Sequence, residues 1–87
     1  MQPYSLQCCD INGLQCRLAR VALGWGVREL ADVSTVSTQT IVRLERGEQL
    51  RRATLERIKN VLEEAGVAFI TDEDGRGFGI LIKGPAE

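Results

Sequence analysis

The sequence of 87 residues has no histidine, three cysteines and few aromatic residues: one tryptophan, one tyrosine and two phenylalanines. Without histidine it lacks the side chain that most often moves protons near neutral pH, and no nucleophile has a suitable base nearby. No apolar run approaches the roughly 20 residues that span a membrane. These absences give no support for an enzyme, catalytic residues, a cofactor or a membrane segment, and we predict none.

The three cysteines do not form a disulfide framework, because their number is odd and Cys8 and Cys9 are adjacent. They also lack the ligand spacing of a zinc site, so no metal site is predicted. We expect reduced thiols in the cytoplasm, with Cys16 as a small buried side chain of the first helix. A redox-sensing role for Cys8 or Cys9 is a weaker alternative.

Residues 25–47 carry the strongest pattern in the chain, two short apolar stripes at helical spacing that are separated by a polar, β-branched break at residues 33–37. Ser37 is placed to cap the second helix through its hydroxyl, and Gly47 to end it. Two short helices joined by a tight turn are a helix-turn-helix. The stripes consist of Val27, Leu30 and Ala31 before the break, and of Ile41 and Leu44 after it.

The second of these helices turns side chains toward solvent that can recognise DNA. Glutamine pairs with adenine, arginine pairs with guanine, and a small apolar group contacts the thymine methyl. The alternative is that these residues form an ordinary solvated helix face. The outward residues are Thr38, Gln39, Val42, Arg43 and Arg46.

Residues 13–82 resemble the small Cro/phage-repressor-type helix-turn-helix regulators. The resemblance is carried without a gap by Arg28-Glu29-Leu30-Ala31, Val36-Ser37, Thr40-Ile41 and Arg43-Leu44-Glu45-Arg46-Gly47. Residues 12–15, 23–25 and 65–70, with the glycine-rich tail, are similar to a bacterial subgroup of single-domain regulators that have a C-terminal hairpin. The resemblance implies a mainly α fold: a lambda-repressor-like helix-turn-helix bundle of about four helices followed by a β-hairpin.

The resemblance and the residue chemistry together predict how double-stranded DNA is bound. The base-reading residues are expected to be Thr38, Gln39, Val42 and Arg43. The phosphate contacts are expected to come from Arg28, Ser37, Thr40, Arg46, Arg51 and Arg52.

Three positions depart from the family pattern. Val27 replaces a glutamine that often contacts a phosphate, and Ser34 and Thr35 stand where the turn often has a small apolar residue and a glycine. If the turn requires a positive φ at Thr35, this β-branched residue is strained. Backbone N–H groups at the helix N-terminus remain an alternative phosphate contact.

The remaining segments complete the expected domain organisation: a flexible leader over residues 1–10, a DNA-binding domain over 11–66 and a hairpin over 67–83. Asn12 is expected to cap a helix that runs to about Leu23 and buries the stripe Leu14, Leu18, Val21, Ala22 and Trp25. A last helix is expected over residues 53–65. The predicted core is Leu18, Val21, Leu30, Ile41, Leu44, Leu55, Ile58 and Leu62.

Charge separates along the chain. Residues 14–60 carry nine basic against five acidic residues, a net charge of +4, while residues 61–87 carry two against six, a net charge of −4. The positive half contains the helix-turn-helix, which favours DNA as its partner. The acidic hairpin is then expected to point away from the duplex.

After Gly66 the apolar period changes from about 3.6 to 2, which predicts strands over residues 67–70 and 78–83 and a turn between them. An isolated hairpin is marginal in water, so we expect a homodimer held by this element. Its interface residues would be Val67, Phe69, Phe78, Ile80 and Ile82. The alternative is a monomer whose hairpin packs on its own helices.

The sequence as a whole predicts a bacterial sequence-specific transcription regulator. We expect a repressor that binds an inverted-repeat operator as a homodimer, with its recognition helix in the major groove. The alternative is an antitoxin or adaptor, in which the helix-turn-helix is a scaffold for binding a partner protein.

Overall fold

The computed structural model describes the backbone of residues 4–6 and the full residues 11–72 and 77–83. The elements in chain order are β1 (Tyr4–Leu6), α1 (Gly13–Ala22), α2 (Val27–Ser34), α3 (Thr38–Glu45), α4 (Arg52–Glu64), β2 (Val67–Asp72) and β3 (Phe78–Ile82). No helix in these ranges is long and apolar enough to cross a membrane. Cys8 and Cys9, most of the hairpin turn and the last four residues lie outside the described residues.

The helix ends follow from local chemistry that the sequence shows. The Asn12 side chain accepts a hydrogen bond from the Gln15 N–H at 2.8 Å, and the Gln15 side chain accepts one from the Asn12 N–H at 3.1 Å, which is a capping box. The Ser37 side chain caps α3 in the same way by accepting from the Thr40 N–H. Gly24 and Gly47 follow α1 and α3 with φ of 73° and 99°, a conformation that glycine adopts without steric cost.

Most of the residues predicted to form the core are buried, but the two predicted in α1 are not. Leu30, Ile41, Leu44, Leu55, Ile58 and Leu62 are buried. The prediction was wrong for Leu18 and Val21, which are 41% and 62% exposed. Leu14, on the same stripe, is also exposed, and α1 instead buries Gly13, Gln15, Cys16 and Ala19.

The close approach of α1 to α3 explains this rotation of α1. A Cβ atom on Gly13 would lie only 2.1 Å from the carbonyl oxygen of Leu44 in α3. Only small side chains fit where two helix backbones approach so closely, so the bulky leucines and valine of α1 turn away from α3.

The three strands form one antiparallel sheet in the order β1-β2-β3. In the β2–β3 pair, Val67 lies opposite Ile82 and Phe69 opposite Ile80. Strand β1, which lies within the residues predicted as a leader, pairs with β2 from Tyr4↔Asp72 to Leu6↔Ile70. The predicted first strand, 67–70, was two residues too short, and the second ends at Ile82.

The sheet packs against the helices of its own chain. Helix α4 lies over β2 and helix α1 over β3. Val67 and Phe69 are 1% exposed within the single chain, where they belong to its core. Their place in a dimer interface stays a prediction. Of the five interface residues predicted, Phe78 and Ile82 are exposed and Ile80 is partly buried.

Candidate nucleic-acid interface

Helix α3 is held by Ile41 and Leu44 in the core, and its opposite face is open to solvent. Because residues three and four apart share a helix face, this anchoring turns the four predicted base-reading side chains outward together. Thr38, Gln39, Val42 and Arg43 are all exposed. The face therefore offers an amide, a guanidinium, a hydroxyl and a small apolar group within two turns of one helix.

The first turn of α3 is fixed by Ser37 and Thr40. Ser37 Oγ accepts from the Thr40 N–H at 3.1 Å and lies 2.8 Å from Thr40 Oγ1. The two hydroxyls are therefore hydrogen-bonded to each other and remain at the surface. Their position at the helix N-terminus, where N–H groups point outward, is favourable for a phosphate.

A groove of about 440 Å³ lies between α3, the following loop and the start of α4. It brings together three of the predicted DNA contacts, Thr40, Arg43 and Arg51. Its lining is completed by Gln49, Leu50 and Thr54. A concave surface with two arginines and two hydroxyls fits an anionic backbone.

The other predicted phosphate contacts lie outside the lining of this groove. Arg28 is exposed in the first turn of α2, and Arg46 is exposed at the C-terminal end of α3. Arg52 begins α4 and forms an exposed ion pair with Glu56 at 3.5 Å. The six residues therefore spread over three segments around α3 rather than forming one cluster.

Arg43 is paired within the protein. Its Nε donates to Glu48 Oε1 at 2.9 Å, and both side chains are about half exposed (51% and 45%). This contact holds the guanidinium at the groove, but it also puts a carboxylate beside a predicted base-reading residue. The contact of Glu48 with Arg43 could not be predicted from the sequence, because it forms only when the chain turns back after Gly47.

A partly buried ion pair connects α3 to α1. Arg20 donates through Nε to Glu45 Oε2 at 2.8 Å and through Nη2 to Glu45 Oε1 at 3.0 Å, in a two-pronged contact. Its Nη1 donates to the carbonyl oxygen of Trp25 at 3.1 Å, which ties in the segment before α2. The side chains are only 13% and 12% exposed. The hydrogen bonds to Glu45 raise the pKa of Arg20 further above its ordinary value.

Cys16 lies beside this ion pair. Its thiol donates to Glu45 Oε2 at 3.7 Å, and the side chain is fully buried, as predicted. Burial, followed by the nearby Glu45 carboxylate, raises the pKa of Cys16 from 9.0 to about 12. The Arg20–Glu45 pair could not be predicted from the sequence. Two opposite charges in separate helices become a pair only when the crossing of the helices is known.

The turn between α2 and α3 accommodates the residues that depart from the family pattern. Thr35 has φ 57°, so the β-branched residue does occupy the left-handed region. Its hydroxyl donates to the Ser34 carbonyl at 2.6 Å and accepts from Arg57 Nη1 at 3.4 Å. Ser34 is 1% exposed and donates to the Leu30 carbonyl of its own helix, so its buried hydroxyl is satisfied.

The start of α2 differs from the family pattern in its chemistry. Val27 is partly buried against the core, and Glu29 accepts a hydrogen bond from the Gly26 N–H at 2.8 Å. A carboxylate therefore stands at this helix N-terminus, where the family glutamine would contact a phosphate. Arg28, one residue further along the helix, is the exposed basic residue of this first turn.

The helix-turn-helix family model matches residues 17–69, which run from the middle of α1 through α4 to the first residues of β2. The match spans more than half of the chain, so the protein belongs to this helix-turn-helix family. It is a DNA-binding regulator of the Cro/repressor type, a fold that is not typically enzymatic. A search of curated proteins found no match.

Proposed function

We propose that the protein is a sequence-specific transcription regulator that represses by occupying an inverted-repeat operator as a homodimer. Helix α3 enters the major groove and reads bases through Thr38, Gln39, Val42 and Arg43. Arg28, Ser37, Thr40, Arg46, Arg51 and Arg52 hold the phosphate backbone on either side. The protein acts in the bacterial cytoplasm, where its DNA target is.

The observation that carries the proposal is the exposed face of α3 beside the arginine-lined groove. The Arg20–Glu45 pair links the last turn of α3 to α1, and the Ser37 cap satisfies a backbone N–H of the first turn, so both ends of the exposed face are held by hydrogen bonds. Preorganisation of this kind reduces the entropy that binding must overcome.

The test is the selection of bound duplexes from a random DNA pool, comparing the wild type with the Gln39→Ala/Arg43→Ala double variant. Each lost base contact should cost roughly 1–3 kcal/mol at the selected site and little on random DNA. Asn60→Ala, at an exposed position of α4, is the matched surface control and should select the same sequence as the wild type.

An inverted repeat that is enriched by the wild type and lost in the double variant would support both base reading and a two-fold dimer. Enrichment of a single unrepeated site would support a sequence-specific regulator but would contradict the symmetric dimer. Equal losses on selected and random DNA would contradict base reading by these two residues.

The absence of any enriched sequence would instead favour the antitoxin or adaptor function. The structure offers one observation in favour of a protein partner, an apolar stripe of Leu14, Leu18 and Val21 that α1 leaves exposed. A partner protein that co-purifies with the chain and protects this stripe would support that function.

A further inference from the structure

We propose that Glu48, which lies outside the recognition helix, is a positioning residue for DNA reading. It holds the Arg43 guanidinium through Nε, so that the two terminal nitrogens of Arg43 read a guanine. Its negative charge also lowers the affinity for DNA that lacks this guanine. The proposal rests on the proposed function, because it requires that α3 reads bases, and it deepens that function by naming what determines the specificity of one base reader.

The way in which α3 ends places Glu48 beside Arg43. The Glu48 N–H donates to the Arg43 carbonyl at 3.0 Å. The Gly47 N–H donates to the Leu44 carbonyl at 2.9 Å, and Gly47 has φ 99°. These two bonds form a Schellman motif, in which the residue after the glycine commonly contacts the residue whose carbonyl it bonds. The position of Glu48 against Arg43 is therefore built into the helix end.

An ion pair replaces the apolar contact that is usual in this motif. Arg43 Nε donates to Glu48 Oε1 at 2.9 Å. The two residues are thus joined twice, once through the backbone and once through the side chains. This restricts the directions that the guanidinium can take, so less side-chain entropy is lost when Arg43 binds a base.

The contact through Nε determines which part of the guanidinium is left for DNA. An arginine has five N–H donors, of which Nε carries one. Glu48 uses that donor, and the four N–H groups on Nη1 and Nη2 take no part in the contact. Two terminal nitrogens can donate side by side to guanine O6 and N7, which is the commonest specific contact in the major groove. The arrangement therefore favours guanine as the base that Arg43 reads.

The charge of Glu48 opposes binding that does not depend on sequence. A carboxylate at the C-terminal end of a helix is disfavoured by the helix dipole, and it repels phosphates, so neither helix stability nor DNA affinity favours an acidic residue here. A guanidinium that turns toward a phosphate must leave Glu48, whereas one that reads guanine end-on keeps the contact. Because specificity is a difference between affinities, Glu48 increases it by weakening the binding of other sequences.

Base preference measured with two Glu48 variants tests the proposal. The base pair read by Arg43 is identified first, as the position of the selected site whose preference is lost in Arg43→Ala. Glu48→Ala removes both the acceptor and the charge. It should lower the preference for guanine at that position about two- to fivefold, the range expected from an exposed ion pair, and should tighten binding to random DNA. Glu48→Gln keeps an acceptor oxygen, so it should tighten binding to random DNA but retain more of the preference.

Two further variants separate the positioning role from a general effect of charge. Glu64→Ala is the matched control, because it removes an exposed carboxylate at the end of α4 that lies away from the groove, and it should leave the guanine preference unchanged. The Arg43→Ala/Glu48→Ala double variant completes a cycle with the two single variants. If Glu48 acts through Arg43, removing it in the Arg43→Ala background should not change the remaining base preferences.

The side-chain contact can also be measured without DNA. The Arg43 Nε–H resonance in a proton–nitrogen NMR spectrum of the free protein should shift in Glu48→Ala, and should shift less in Glu48→Gln. The same spectra show whether each variant retains the fold. A folded Glu48→Ala protein with an unchanged Arg43 Nε–H resonance would overturn the proposal.

The outcomes distinguish this proposal from the proposed function. A wild type that selects no sequence would overturn both. A wild type that selects a sequence, together with a guanine preference that survives in full in Glu48→Ala, would overturn only the role of Glu48. The same holds for a base other than guanine at the position read by Arg43, or for an equal effect of Glu48→Ala when Arg43 is absent.

Discussion

Helices α1 and α3 cross at close range but present opposite kinds of surface to solvent. Helix α3 exposes Gln39 and Arg43 and buries Ile41 and Leu44, whereas α1 exposes Leu14, Leu18 and Val21 and buries Gln15 and Cys16. The first surface suits a polar, anionic partner and the second an apolar one. The comparison shows that α3 presents polar side chains to solvent, whereas α1 uses its polar side chains inside the protein, where they connect the sheet to α3.

The polar residues that α1 buries have identifiable tasks. Gln15 donates to carbonyl groups of β2 and β3, and Arg20 holds Glu45 at the end of α3. The inward face of α1 therefore connects the sheet with the recognition helix through hydrogen bonds. Its apolar residues are left on the outside because the inward positions are taken by these contacts and by the close approach at Gly13.

The largest expected effect comes from breaking the link between the two helices. Glu45→Ala leaves the partly buried Arg20 without its carboxylate, which should lower the free energy of unfolding by about 1.5–3 kcal/mol. Urea denaturation measures the change. Glu48→Ala, which removes the exposed partner of Arg43, is the matched control and should cost less than about 1 kcal/mol. Similar losses from both variants would show that the Arg20–Glu45 pair does not secure α3.

A smaller effect is expected from ionisation of Cys16 on the inward face of α1. Because its folded pKa of about 12 lies above its ordinary value of 9.0, the thiol favours the folded state below pH 9. That contribution is lost as the pH rises from 9 toward 12, by at most about 1.4 kcal/mol per pH unit.

Thermal unfolding between pH 8 and pH 10.5 measures this dependence, with Cys16→Ala as the control. The variant starts from a lower stability because it loses buried volume, but its stability should fall less with pH than that of the wild type. Parallel curves for the two proteins would mean that Cys16 does not ionise on unfolding in this range.

The smallest expected effect is a change in the salt dependence of DNA binding. It tests whether the DNA-binding surface is confined to the α3 side of the protein. Arg51→Ala should weaken binding to all sequences alike and reduce the slope of log K against log salt by about 1, because one phosphate contact is lost. Arg51→Lys keeps the charge and should keep the slope. Leu18→Gln, on the outward face of α1, should leave the slope of each DNA-bound subunit unchanged. A reduced slope for Leu18→Gln would contradict the division between the two surfaces.

The helix-turn-helix was predictable because its signals are local. The Ser37 cap, the Gly47 end and the stripe of Ile41 and Leu44 each depend on residues a few positions apart, and the structure has all three. The exposed face of α3 follows from the same spacing, so the positions of the base-reading candidates at the surface could be predicted. Their contacts with DNA remain predictions.

The apolar stripe of α1 led to a wrong prediction for a physical reason. Periodicity identifies an apolar face, but it does not say whether the rest of the chain covers that face. Here the approach of α1 to α3 selects Gly13 and Cys16 for the inside, and the leucines of α1 remain outside. The sequence of α1 by itself does not show that the backbone of α3 lies this close to Gly13.

The sequence by itself determined where the helices begin and end, which face of α3 is polar, and where the chain changes from helices to strands. These features arise from interactions between near neighbours along the chain. Only the tertiary structure decided which face of α1 is buried, that Arg20 pairs with Glu45, that Glu48 returns to Arg43, and that β3 is bonded to β2 alone among the described strands. Each of these depends on segments that are distant in sequence, whose approach is set by packing of the whole core.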